Sequence, residues 1–150
     1  PKTLLLKAKI PHNKNWPSFS SLALRIAAVK EGFCGHWIRW KEFCIAARTL
    51  ATNSSVVAKG NCDLNLVQFD SQSSADEFAD FVRSSAEASS LLSKSLLLGM
   101  RACPDGGILY CDCSIISTNQ CVWNEFGGTS NIQWYPIQYS NLTMYILAQF

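Results

Sequence analysis

Apolar and polar positions alternate most regularly from Asn141 to Phe150. There Leu142, Met144, Ile146, Ala148 and Phe150 fall on one side of a pleated backbone, and Thr143, Tyr145, Leu147 and Gln149 on the other. A period of two with one wholly apolar face predicts a strand. Because frayed ends are normally polar, this strand is expected to be paired and buried in a sheet, with Asn131 to Tyr139 completing a closing pair. At the other end of the chain Thr3 to Ile10 also alternates, Lys7 and Lys9 against Leu6, Ala8 and Ile10, and Pro11 closes it. A Pro/Asn/Ser-rich loop follows from His12 to Ser21, with Trp16 and Phe19 as apolar anchors. Leu22 to Val29 is a short apolar run whose period fits a strand or a helix. His36 to Leu50 predicts one or two strands, and Cys62 to Phe69 a further one after the turn Lys59-Gly60-Asn61. Ile108 to Ile116, entered through the turn Cys103-Pro-Asp-Gly-Gly107, and Cys121 to Phe126, ended by Gly127-Gly128, read as strands too.

One segment changes period. Ser74-Ala-Asp-Glu77 has the form of a capping box, a hydroxyl and a carboxylate satisfying the amides that a helix start leaves free. Phe78, Phe81, Val82, Ser85, Ala88 and Leu92 then recur at helical spacing. Lys94 suits the negative end of the helix dipole, and Gly99 offers a stop. A helix is therefore expected over residues 74–94, inserted among about eight short strands. That pattern predicts a mainly β fold, an antiparallel β-sandwich of jelly-roll type in one domain over residues 1–150. A chain of this length buries roughly 68–70% of the surface its unfolded form exposes, enough for a substantial core.

Composition sharpens this in two ways. Apolar residues make up 48% and charged residues 16%, below the roughly 25% charged content usual for soluble domains, which suggests surface covered by a partner. No apolar window approaches the roughly 18 residues of a membrane span. The start carries no leader-like n-region and h-region, and with Pro1 in place of Met the expectation is a chain that is processed, trimmed or ordered only from here. The net charge is +2, yet residues 1–60 hold ten Lys/Arg against Glu31 and Glu42, while residues 61–150 hold three against nine Asp/Glu. Such asymmetry suits a polyanion on the basic side, with Lys2, Lys7, Lys9, Lys14 and Arg25 as candidate RNA-facing residues. Arg39, Lys41 and Arg48 interleave with Trp37 and Trp40, the pairing of cations and stacking rings that binds single-stranded nucleic acid. The plainer alternatives are that the cations solvate one sheet surface and that the tryptophans pack in the core.

Catalytic chemistry is hard to assemble from these residues. Gly32-Phe-Cys34-Gly-His-Trp37 looks like the nucleophile segment of papain-like proteases, and Asp112-Cys113-Ser114 like that of cell-wall cysteine peptidases. Both need a general-base histidine farther along the chain, and the histidines are His12 and His36. No enzyme is expected. Seven cysteines, an odd number, sit mostly in apolar runs, where a reduced thiol behaves as a small hydrophobe; buried thiols are the expectation. Cys103-x7-Cys111-x-Cys113-x7-Cys121 lacks the paired knuckles of structural zinc sites, so no metal or other cofactor is expected. Asn53-Ser54-Ser55 and Asn141-Leu142-Thr143 are glycosylation sequons, relevant only to a secreted chain.

With the strand Thr3 to Ile10, the helix Ser74 to Lys94 and the closing pair Asn131 to Tyr139 and Asn141 to Phe150, the chain resembles the single jelly-roll coat proteins of small icosahedral positive-strand RNA viruses. The resemblance implies a structural coat protein of the virion that self-assembles in the host cytoplasm. Its partners would be other copies of itself and genomic single-stranded RNA. The long Arg/Lys arm common in such proteins is not in this sequence. Two other classes compete with that expectation. One is a secreted or cell-surface β-sandwich binding module, glycosylated at Asn53 and cross-linked by up to three disulfides. The other is a viral movement or silencing-suppressor protein that binds single-stranded nucleic acid without forming shells.

Overall fold

The computed structural model describes residues 22–49, 65–103, 107–110, 132–138 and 144–150. The expected strands Thr3 to Ile10 and Cys121 to Phe126 lie outside them, as do residues 111–116. The described part is mainly β: β1 (Leu22–Ala28), β2 (Ile38–Trp40), β3 (Phe43–Thr49), β4 (Ser95–Ala102), β5 (Ile108–Tyr110), β6 (Gln133–Gln138) and β7 (Met144–Gln149). These seven strands form one unclosed sheet in the order β2-β3-β1-β4-β7-β6, with β5 also on β4. Helix α1 (Gln72–Ser84) and a 3-10 helix (Glu87–Leu91) connect β3's side of the sheet to β4.

The ambiguous run after Leu22 is a strand because a partner is available for its whole length: β1 pairs antiparallel with β3 from Leu22 opposite Thr49 to Ala28 opposite Phe43. Lys41, in the left-handed region, turns the chain between β2 and β3, so that His36 to Leu50 holds two strands. The sheet is mixed where wholly antiparallel pairing was expected. β1 and β4 run parallel and meet at Ala23 and Leu97. Beyond that bridge they part, and residues 65–67 enter the gap. The Ile26 amide donates to the Asn65 carbonyl at 2.8 Å, Val67 to Leu24 at 2.8 Å and Gly99 to Val67 at 2.9 Å. The strand expected over Cys62 to Phe69 is thus reduced, in its described part, to a single bridge between Arg25 and Leu66. Gly99 is no helix stop. It lies inside β4, where a Cβ would come within 3.0 Å of the Leu66 Cβ and 3.1 Å of the Gln68 Cγ.

The helix also departs from its expected limits of 74–94. Its N-cap is Ser71, whose Oγ accepts the Ser74 amide at 3.1 Å, while the Ser74 hydroxyl donates back to Asp70 at 2.7 Å. Ser74 is therefore inside the first turn, and Glu77 closes no capping box. α1 ends at the pair Ser84-Ser85, and Ser85 takes an extended conformation. Short hydroxyl side chains compete for backbone partners and lower helix propensity; Ser84 turns to the Phe81 carbonyl at 3.5 Å and Ser89 to the Ala86 carbonyl at 2.7 Å. The break redirects the chain, so that Ala88 and Leu91 reach the core from a separate 3-10 helix.

α1 lays Ala75, Phe78, Ala79 and Val82 against Leu24, Ile45, Leu96, Leu98, Ile146 and Ala148 of the sheet. Around the Phe78 ring stand Trp40 at 5.0 Å edge-on, Phe150 at 5.1 Å edge-on, Phe69 at 5.5 Å and Phe81 at 6.2 Å. Fully burying one such ring contributes about 1.5–3 kcal/mol, and favourable ring pairs add about 0.5–1.5 kcal/mol each. In β7, Ile146, Ala148 and Phe150 face this core as their alternation demands. Tyr145 and Leu147, on the other face, are just as buried, in a second cluster with Ala23, Leu66 and Leu97. β7 lies between β4 and β6, paired on both sides, and both of its faces are apolar and buried where one was expected. Pro136, which has no amide to donate, sits on β6 at the end of the strand order, a place that spares the ladder.

The expectation of reduced cysteines is overturned at Cys34, Cys44 and Cys103, while Cys62, Cys111, Cys113 and Cys121 lie outside the described residues. Cys34 and Cys44 form a disulfide across 5.4 Å between Cα atoms, and Cys103 is disulfide-bonded as well. Gly32 and Gly35, both in the left-handed region, fold residues 30–37 back over the start of β3, and that reversal brings Cys34 to Cys44. Apolar surroundings disguised these residues as simple hydrophobes.

Gly99→Val is expected to destabilise the protein by about 1–3 kcal/mol, since the added side chain meets the Leu66 Cβ at 3.0 Å and crowds the Gln68 side chain; an unchanged urea midpoint would contradict the close approach. Replacing Cys34 and Cys44 together by alanine should cost about 2–3 kcal/mol for a loop of this size, read from the same denaturant titration.

Candidate binding cleft beside the disulfide hairpin

The β2–β3 hairpin carries the cations and rings that stood out in the sequence, and the fold uses most of them internally. Trp40 is half-buried against Phe78 and Phe81, so it belongs to the core. The Lys41 ammonium lies 5.0 Å from the Trp40 ring centre and pairs with Glu77 of α1 at 2.5 Å. Both ends of that pair are about half exposed, at 51% and 56%, so it adds only about 0–1 kcal/mol. Its effect is to tie the hairpin turn to the helix. Arg39 braces the same turn, its Nε donating to the Lys41 carbonyl at 2.7 Å and a terminal nitrogen to Gly32 at 3.5 Å. Arg48 alone of the three remains outward, its guanidinium 5.6 Å from the centre of the half-buried Trp37 ring.

The five candidate RNA-facing residues are not gathered into one described patch. Lys2, Lys7, Lys9 and Lys14 lie outside the described residues. Arg25 is half-buried on β1, opposite Ala46, and is engaged within the fold.

Arg48 opens instead on a cleft of about 270 Å³ between the hairpin and the segment that follows α1. Its apolar lining comes from Ile38, Ala46, Ala47 and Leu91. Its polar lining is His36 and Arg48 from the hairpin, with Glu87, Ser90 and Lys94 from the 3-10 helix and the turn after it. All five polar residues are exposed, and among the described residues no ion pair joins any of them. One hydrogen bond restrains the rim: an Arg48 terminal nitrogen donates to the Ala47 carbonyl at 3.3 Å. A second hollow, about 400 Å³, opens near Ile26, Ala28, Phe43 and Gln68. No charged side chain lines it, so it has little to orient a ligand.

From the sequence alone Lys94 serves as a helix-dipole partner and His36 stands out only as the histidine beside Cys34, while Glu87 and Ser90 carry no reading of their own. Only the helix break at Ser84-Ser85 places Glu87, Ser90 and Lys94 beside β3. The run of serines from Ser84 to Ser93 is the one signal that pointed to it. Cysteine chemistry at Cys34 is removed by its disulfide, because the bonded sulfur is no thiolate, and Cys103 is likewise withdrawn from metal ligation. Among the described residues no three His, Cys, Asp or Glu side chains gather as a metal site, and no helix is long and apolar enough to cross a membrane.

Comparison of the chain with protein-family models, with curated proteins and with solved structures found no match to any of them.

Proposed function

We propose that this chain is a disulfide-stabilised, secreted or cell-surface β-domain whose function is binding. The Cys34–Cys44 bridge carries the proposal. Protein disulfides persist in oxidising compartments and are rare where thiol reductants are kept high, and a second bridge at Cys103 adds to that preference. The sequon at Asn53 fits the same compartment. The hairpin closed by the bridge is held at its turn by Arg39 and Lys41, a rigid platform for the cleft beside it. Rigid support of this kind favours binding because little order has to be imposed when the ligand arrives.

The coat-protein reading is second. It is supported by the burial of both faces of the central strands, since Leu97, Tyr145 and Leu147 opposite the helix side are as enclosed as Leu96, Leu98 and Ile146 on it. A jelly-roll sandwich needs such a second apolar face, and its second layer would have to come from segments such as Thr3 to Ile10. On this second reading copies of the chain would assemble as a shell around single-stranded RNA, with Lys2, Lys7, Lys9 and Lys14 as the candidate RNA-facing residues. The disulfides rank it behind the secreted module, because a coat assembled in host cytoplasm forms under reducing conditions.

Thiol titration of the protein purified without reductant and unfolded in denaturant separates the two. Two bridges take four of the seven cysteines, so the binding-module reading expects at most three reactive thiols, rising to seven after reduction. Light scattering should then give a monomer or small oligomer. Seven reactive thiols from the outset, or particles tens of nanometres across, would reverse the ranking.

A further inference from the structure

We propose that the cleft between the β2–β3 hairpin and the 3-10 helix binds a small carboxylic acid that also carries a hydroxyl or amino group. The inference deepens the binding reading above, and it specifies the ligand class that this one site takes. Arg48 and Lys94 place two cations on the rim against the single carboxylate of Glu87, and no ion pair satisfies any of the three. The guanidinium is held by two contacts, the stack on Trp37 at 5.6 Å and the hydrogen bond to Ala47 at 3.3 Å. Both leave donors over, and a charge fixed in place before the ligand binds attracts an anion more effectively than a free lysine does. Ser90 and His36 add further hydrogen-bonding groups beside the cations.

Glu87 decides the second half of the ligand. On a site for a bare anion it would only repel, but a hydroxyl or ammonium on the same small molecule supplies the donor it lacks. The apolar lining of Ile38, Ala47 and Leu91 suits the hydrocarbon body between those two groups. At about 270 Å³ and about 30 Å³ for each water-sized volume, the cleft holds a molecule of roughly ten non-hydrogen atoms. A polymeric phosphate chain fits this arrangement poorly, because an acidic side chain stands among only two basic ones.

Mandelate is a suitable probe, with 1-phenyl-1,2-ethanediol as the analogue lacking the carboxylate, phenylacetate as the analogue lacking the hydroxyl, and inorganic phosphate as the bare oxyanion. In protein NMR titrations of the full chain, mandelate is expected to shift the resonances of Ser90, Lys94 and the Arg48 side chain with millimolar affinity. The diol and phosphate should each bind at least about tenfold more weakly, the loss of one charge-assisted contact or of the apolar contact. Lys94→Gln, at an exposed position, should weaken mandelate about tenfold without altering stability. Arg48→Gln should do the same, and should also release Trp37, visible in its indole resonance. Glu87→Gln should tighten phenylacetate while leaving mandelate weaker or unchanged, a crossing that a general attraction for anions does not produce. The proposal is overturned if mandelate shifts nothing in the cleft, if phosphate binds there as well as mandelate, or if Lys94→Gln leaves mandelate affinity intact. None of these outcomes bears on the thiol count or particle size, so the ligand class and the binding-module reading fail independently.

Discussion

The ring of Phe78 is the contact on which the described structure depends. It is fully buried, and it meets Trp40 from the hairpin turn, Phe69 from the segment leading into the helix and Phe150 beyond β7. Three stretches distant in sequence are therefore fixed relative to one helix face. The dispersion and hydrophobic gain is large at such a point because each ring sheds water against several others at once. The arrangement also explains why the hairpin does not swing as a free ribbon. Trp40 anchors its turn to the core while Lys41 and Glu77 pin the same turn from outside, and β2 is only three residues long and, among the described residues, pairs with β3 alone.

The cleft inherits this geometry. The cleft has one wall on the hairpin and the other on the chain just after α1, and both walls are positioned by packing around the helix. Charge alone gave a different impression. The basic surplus of residues 1–60 suggested a continuous surface for a polyanion, but among the described cations Arg39 and Lys41 brace a turn and Arg25 is held within the fold. Sequence counts charges without recording which of them already have partners, and that is why Arg25, Arg39 and Lys41 read alike there.

How much was legible follows the range of the interactions involved. Alternation from Leu142 to Phe150 revealed β7 because period two is a local property, and Phe78 and Val82 revealed α1 because helical spacing is local too. The cap was misplaced by three residues because Ser71 and Ser74 offer the same hydroxyl, and only the amide that is reached tells them apart. Gly99 was misread because its role depends on Leu66, more than thirty residues away. The second apolar face of β7 is hidden in the sequence because tyrosine and leucine among polar neighbours look like an exposed face until Ala23, Leu66 and Leu97, distant along the chain, are brought beside them. The disulfide was missed for a similar reason: pairing depends on Gly32 and Gly35 reversing the chain, and nothing in the spacing of Cys34 and Cys44 announces it. The cleft was the least visible of all, since its two walls are some forty residues apart.

The internal position of β7 has a consequence for the order of events during synthesis. β4, β6 and the helix emerge from the ribosome before residues 144–150, yet β7 lies between β4 and β6 and pairs with both. Until it emerges, Leu96, Leu98 and Phe78 lack the neighbours that enclose them, and a nascent chain would carry those side chains exposed. Completion of the sheet is consequently a late event that depends on a single segment, and any interval before its delivery is when this polypeptide has the greatest need of a chaperone.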